Sequence, residues 1–166
     1  MDTVFKFRII SNEKEDFFRD IEILSHETFF EFHQAIQACV KYDPSQIASF
    51  FTSNSKWEKI DEITLMDMSD FDQTKRMVMH RVRLNEILEK KKERLLYVFD
   101  FFSERAFFIE LTDILKPEKN KNYPVLSNGK GKAPRQILEN DLALLNSEDI
   151  LNEDFRFESL DDLGEF

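Results

Sequence analysis

The stretches Val4-Phe5-Lys6-Phe7-Arg8-Ile9-Ile10 and Phe17-Phe18-Arg19-Asp20-Ile21-Glu22-Ile23-Leu24 set the fold class. In the first, Phe5, Phe7 and Ile9 alternate with Lys6 and Arg8; in the second, Ile21 and Ile23 alternate with Asp20 and Glu22. A period of two is that of a strand with one buried and one wet face. The polar connection Ser11–Asp16 is short enough for an antiparallel hairpin. A helix follows. Thr28 and Glu31 have the Thr-x-x-Glu spacing of a capping box. Phe29, Phe32, Ile36 and Cys39 or Val40 then recur every three or four residues, which lines one helical face with apolar groups. Asp43-Pro44 is the expected stop.

Farther out, Ile47–Thr52 reads as a strand, Ser53–Lys56 as a turn and Trp57–Ile60 as a short strand. Asp61–His80 carries less pattern, with a polar surface loop expected over Ser69–Arg76. Val82–Lys92 fits a short helix, Leu95–Phe102 and Arg105–Leu111 a buried hairpin, and Asp113–Leu115 a single turn before Pro117. The order strand, strand, helix, strand predicts an α+β domain: an antiparallel-led mixed sheet with a packed helix, compatible with a β-grasp-like start.

The chain has 166 residues, 34% of them charged and 42% hydrophobic, which excludes a collagen-like or wholly disordered polymer. It contains 18 Phe and only 3 Gly, at positions 129, 131 and 164. A glycine-rich phosphate cradle is therefore excluded from residues 1–128, and with it a Rossmann, P-loop or kinase-type site there. The phenylalanines are expected to fill a core. One cysteine, Cys39, cannot form an internal disulfide, which suits a reducing compartment; a cytoplasmic location is expected. No apolar run reaches the roughly 18 residues of a membrane span.

Charge is uneven. The formal net charge is −10, and residues 137–166 hold ten acids against Arg156 alone, a net −9. The expected organisation is an α+β domain over residues 1–136 with an acidic C-terminal extension over 137–166. The extension also carries Leu142, Leu144, Leu145, Ile150, Leu151, Phe155, Phe157, Leu160, Leu163 and Phe166. Such acidic-apolar mixing suits docking in a groove, in cis or on a protein partner. Upstream, Lys116, Lys119, Lys121, Lys130, Lys132 and Arg135 form a candidate anion patch in what reads as a Pro- and Gly-containing loop.

Sites for chemistry are few. Asp100 lies within Tyr97-Val98-Phe99-Asp100-Phe101-Phe102, and a carboxylate in an apolar strand must find a partner or shift its pKa. His33 sits beside the helix's apolar stripe. Asp100 and His33 are the two weak catalytic candidates; an enzyme built on them needs both within hydrogen-bond reach in a pocket. Cys39 on the apolar face is a poor nucleophile. Cys39 with His26, His33 and His80 lacks zinc-ligand spacing, and Asp67, Asp70 and Asp72 lack the glycine of a calcium loop. Asn128-Gly129-Lys130-Gly131-Lys132 lacks the spacer and the Ser or Thr of a phosphate loop and reads as a turn. No cofactor or metal is expected.

The opening Phe-Lys-Phe-Arg-Ile strand, Phe32–Ala38, Arg83-Leu84 with Leu88, Leu96–Phe101, and Ile109-Glu110-Leu111 before Leu115-Lys116-Pro117 together resemble the plasmid pRiA4b ORF-3-like family over roughly Phe5 to Pro134. After its aromatic-Asp-Phe segment that family usually carries Gly, Asp, a variable residue, Trp, another variable residue and His. Here those places hold Phe102, Ser103, Glu104, Arg105, Ala106 and Phe107. Of the family's polar set only Asp100 persists, and Ala133 stands in the place of a Cys. The resemblance implies a fold rather than a reaction, because the family's biochemical role is unknown. The functional expectation is a non-enzymatic protein-interaction domain. The alternative is a nucleic-acid-associated accessory protein of mobile-element origin.

Overall fold

The computed structural model describes residues 2–67 and 77–138. Asp70, Asp72, the expected loop at Ser69–Arg76 and residues 139–166 of the expected extension lie outside the described residues. Contacts divide the chain into two units, Met1–Pro134 and Arg135–Phe166. The first holds one sheet built from β1 (Val4–Ser11), β2 (Phe18–Leu24), β3 (Ser49–Ser53), β4 (Lys59–Thr64), β5 (Met77–Val78), β6 (Arg94–Asp100), β7 (Arg105–Leu115) and β8 (Val125–Lys130). Their spatial order is β5-β4-β3-β6-β7-β1-β2-β8. Neighbours run antiparallel except β4 and β5, so the sheet is mixed.

Helix α1 (Phe29–Val40) forms with the expected cap: Glu31 N–H donates to Thr28 Oγ1, and Thr28 N–H donates to the Glu31 carboxylate. It ends before Asp43-Pro44, at Lys41, whose left-handed backbone (φ 60°) closes the last turn. Phe29, Phe32 and Ile36 are fully buried against the sheet. Phe32 stacks on Phe7 of β1 at 4.4 Å and on Phe50 of β3 at 5.4 Å, so the helix spans both halves of the sheet. Phe17, Phe99 and Phe107 continue the aromatic layer. Burying each such ring contributes about 2–3 kcal/mol relative to exposure. Among the described residues, eight phenylalanines are buried in this core, while Phe101 and Phe102 are exposed.

Several expectations are corrected. Asp113–Leu115 is not a turn: β7 runs on through Leu115, with a bulge opposite Lys6/Phe7 that lets Thr112 Oγ1 donate to the Lys6 carbonyl. The loop expected at Lys116–Arg135 contains β8, an edge strand paired with β2. Only Leu84–Ile87 of the helix expected at Val82–Lys92 forms (α2). The adjoining chain instead bonds to the β2–α1 turn, Leu84 N–H to the Glu27 carbonyl and Phe29 N–H to the Val82 carbonyl. Trp57 is in a turn with φ 64°, and the strand expected at Trp57–Ile60 starts at Lys59 and runs to Thr64. The β-grasp-like start is not formed either. That arrangement sets a parallel strand beside β1, but both neighbours of β1 are antiparallel, and β3 pairs with β6 and β4.

Candidate functional site

The β6–β7 hairpin gathers the charged groups that its apolar sequence cannot leave unpaired. Asp100 ends β6 and Arg105 opens β7, and they face each other in register. Arg105 Nη1 donates to Asp100 Oδ2 at 3.2 Å. Its Nε and Nη2 donate to both oxygens of Glu13, on the β1–β2 turn, at 3.0 and 2.9 Å. The guanidinium also lies 4.9 Å over the Phe99 ring. Only 8% of the Arg105 side chain and 9% of Asp100 are exposed. Burial alone would lower the Arg105 pKa; the hydrogen bonds and charges of Glu13 and Asp100 more than offset it and hold the group raised and protonated. Planar bidentate pairing of this kind fixes geometry as well as charge.

The clamp ties two neighbouring turns together. Asp100 Oδ1 accepts from Ser103 N–H, and Glu104 takes a left-handed backbone (φ 55°). The result is a tight turn on which Phe102 is 70% exposed and Phe101 41% exposed. Both rings thus face solvent beside a turn whose backbone is anchored by Asp100. Beneath it, Tyr42 packs edge-on to Phe99 at 5.1 Å and its hydroxyl donates to the Pro134 carbonyl at 2.6 Å. Burial pushes the Tyr42 hydroxyl pKa up.

The structure does not join Asp100 to His33. His33 Nδ1 hydrogen-bonds Tyr97 Oη at 2.7 Å within the core, and burial lowers its pKa to about 4, so it is neutral at pH 7. Asp100 is engaged by Arg105 and Ser103 instead. Cys39 borders a groove of about 340 Å³ with Ile21, Ala35, Ala38 and β8, and burial raises its thiol to about 11, far from a reactive thiolate. Among the described residues no group of three or more His, Cys, Asp or Glu side chains is placed to hold a metal, and no helix is long and apolar enough to cross a membrane.

The candidate anion residues fall into separate places. Lys116, Lys119 and Lys121 are on the β7–β8 connection, while Lys130 and Lys132 are at the far end of β8. Six residues of strand put about 20 Å between these groups. Lys121 is already engaged, with Glu22 at 2.9 Å and Glu118 at 3.5 Å. Arg135 belongs to the second unit. The glycines nearby serve packing. Gly131 (φ 79°) lies against the backbone of Asp16 and Phe17, where a Cβ would sit 2.7 Å from the Asp16 carbonyl oxygen. Arg19 donates to the Lys130 and Gly131 carbonyls and locks the end of β8.

Sequence reasoning finds Asp100 but not its partners. Arg105 is the base five residues on, across a two-stranded turn, and is a findable signal; Glu13 is 92 residues away and becomes adjacent only through the β1–β7 pairing.

A family model described as plasmid pRiA4b ORF-3-like protein matches residues 3–139. The fold is similar to a crystal structure of a protein of unknown function from Methanosarcina mazei Go1, with a TM-score of 0.70 and 21% identity, covering 92% of this chain and 83% of that one. No curated protein matches.

Proposed function

We propose, from the premise that this chain belongs to the plasmid pRiA4b ORF-3-like family, that it is a non-enzymatic protein-interaction domain whose contact point is the β6–β7 turn. The observation that carries this reading is the exposed Phe101–Phe102 pair on a turn anchored by Asp100, Arg105 and Glu13. Aromatic anchors on rigid backbone lose little entropy on binding and dominate interface energetics. Asp100, His33 and Cys39, the groups with potential chemistry, serve the packed structure instead. The acidic-apolar segment 137–166 is the second proposed partner-binding element, on its composition.

The test is affinity purification from nuclease-treated native lysate with the full chain, with Phe101→Ser/Phe102→Ser, and with a chain ending at Gln136. Partners of the full chain should be lost with the double substitution and weakened by the truncation. The same partners on all three baits would overturn the reading. The exposed Lys116, Lys119, Lys130 and Lys132 favour a second reading, nucleic-acid association. Binding to mixed DNA and RNA that falls steeply with salt would support it over the first.

A further inference from the structure

The face of the sheet opposite α1 carries rows of charge. On β1, Lys6 lies in register with Glu22 of β2 and Asp113 of β7, and Arg8 with Asp20 and Glu110. Each of these four acids has a basic partner. Arg8 Nε and Nη2 donate to both Asp20 oxygens at 2.8 Å; Lys121 holds Glu22 at 2.9 Å; Arg94 lies 3.6 Å from Glu110, and Lys91 3.6 Å from Asp113. Lys6, in the middle, forms no ion pair among the described residues and is the surplus cation. Beside it opens a cavity of about 340 Å³ lined by Lys6, Arg8, Asp20, Thr112 and Asp113. That volume is at the lower end of small-ligand pockets, about 300–1,000 Å³.

We propose that this cavity binds a small molecule through an oxyanion, a carboxylate or phosphate group, held by Lys6 Nζ and the outer edge of the Arg8 guanidinium. Arg8 is already set for it. Its inner edge is fixed on Asp20, which is 2% exposed, and its plane lies 4.2 Å over Phe18. Nη1 keeps its donors, without a partner among the described residues. A guanidinium so held loses little freedom when it takes a second acceptor. Asp20 does not repel the ligand, because its charge is matched by Arg8 in a bidentate pair, and Asp113 is faced by Lys91. Thr112, drawn onto the Lys6 carbonyl at 3.0 Å by the β7 bulge, forms one wall. This site is on the opposite sheet face from α1 and does not depend on the Phe101–Phe102 contact.

The test is a titration of the full chain with inorganic phosphate and, separately, with acetate at constant ionic strength, read by backbone amide chemical shifts. Saturable shifts are expected at Lys6, Thr112 and Asp113. Lys6→Gln should weaken the stronger of the two at least tenfold, while Lys116→Gln should leave it unchanged. Stronger phosphate than acetate binding assigns a phosphate-bearing ligand, and the reverse a carboxylate. Because Lys6 is only partly buried, the variant is expected to fold, and its own amide spectrum verifies that. Non-saturating shifts with both probes, or equal affinity in Lys6→Gln, would overturn the proposal.

Discussion

At Arg105 a single guanidinium serves two carboxylates from different turns, and its removal leaves Asp100 with 9% exposure and no cation. Removing one member of a buried ion pair costs more than the pair contributes, because the survivor stays desolvated. Arg105→Ala should therefore lower stability by roughly 3 kcal/mol in urea unfolding. A loss under about 1 kcal/mol would mean that the group behaves as a surface pair. Phe102→Ser, at a 70% exposed site, should change stability by no more than about 0.5 kcal/mol, which separates its effect on partners from any effect on folding. His33 gives a pH signature. Its pKa is about 4 in the fold against 6.5 when unperturbed, so the unfolded chain binds the extra proton first. Its contribution is fully present above pH 6.5 and falls as pH drops toward 4. The urea midpoint should decline across that window, and His33→Gln should flatten the decline. An unchanged slope in the variant would assign the pH dependence to other groups.

Among the elements, those with alternating or helical hydrophobic patterns are the ones legible in the sequence. Phe5, Phe7 and Ile9 bury on one side and Arg8 stays outside, because β1 has a core on one face only. The Thr28–Glu31 box reports α1 because both its hydrogen bonds are local. β8 is illegible for the converse reason. Leu126 through Lys130 are exposed, so no burial pattern marks them, and what holds them is pairing with β2, more than a hundred residues back in the chain. The extension of β7 through Leu115 is hidden by its bulge, which breaks the alternation. The site was half legible: an acid in an apolar strand demands a partner, but which partner depends on sheet order. Gly131 tests the docking of β8. Alanine there meets both a left-handed backbone and the Asp16 carbonyl, so Gly131→Ala should destabilise by more than about 1 kcal/mol. Amide exchange should quicken first in β8 and at its β2 contacts. Uniform quickening across β6 and β7 would show that β8 is not a separately opening unit.

On the scale of the whole molecule, charge is uneven along the chain as well as across the sheet. Among the described residues the hydrophobic core draws on positions from Phe5 to Leu111, with Ala133 packed against it. Nearly all the net charge, −9 of −10, falls in 137–166. A chain ending at Gln136 should therefore keep one cooperative urea transition while its net charge drops to about −1. This truncation also separates the two functional readings. With most of the net negative charge removed, affinity for nucleic acid through the exposed lysines of the β7–β8 connection and β8 should rise if the extension had masked it. Under the protein-interaction reading no such gain occurs, and the truncated chain loses partner affinity instead. Fluorescence anisotropy with mixed-sequence DNA and RNA at about 50 and 200 mM salt decides between them, since a contact with even six phosphates weakens about a thousandfold over that range. Tight, salt-sensitive binding by the truncated chain would transfer the function to the exposed lysines of the β7–β8 connection and β8; none in either chain, with partners lost on truncation, leaves it with the extension and the Phe101–Phe102 turn.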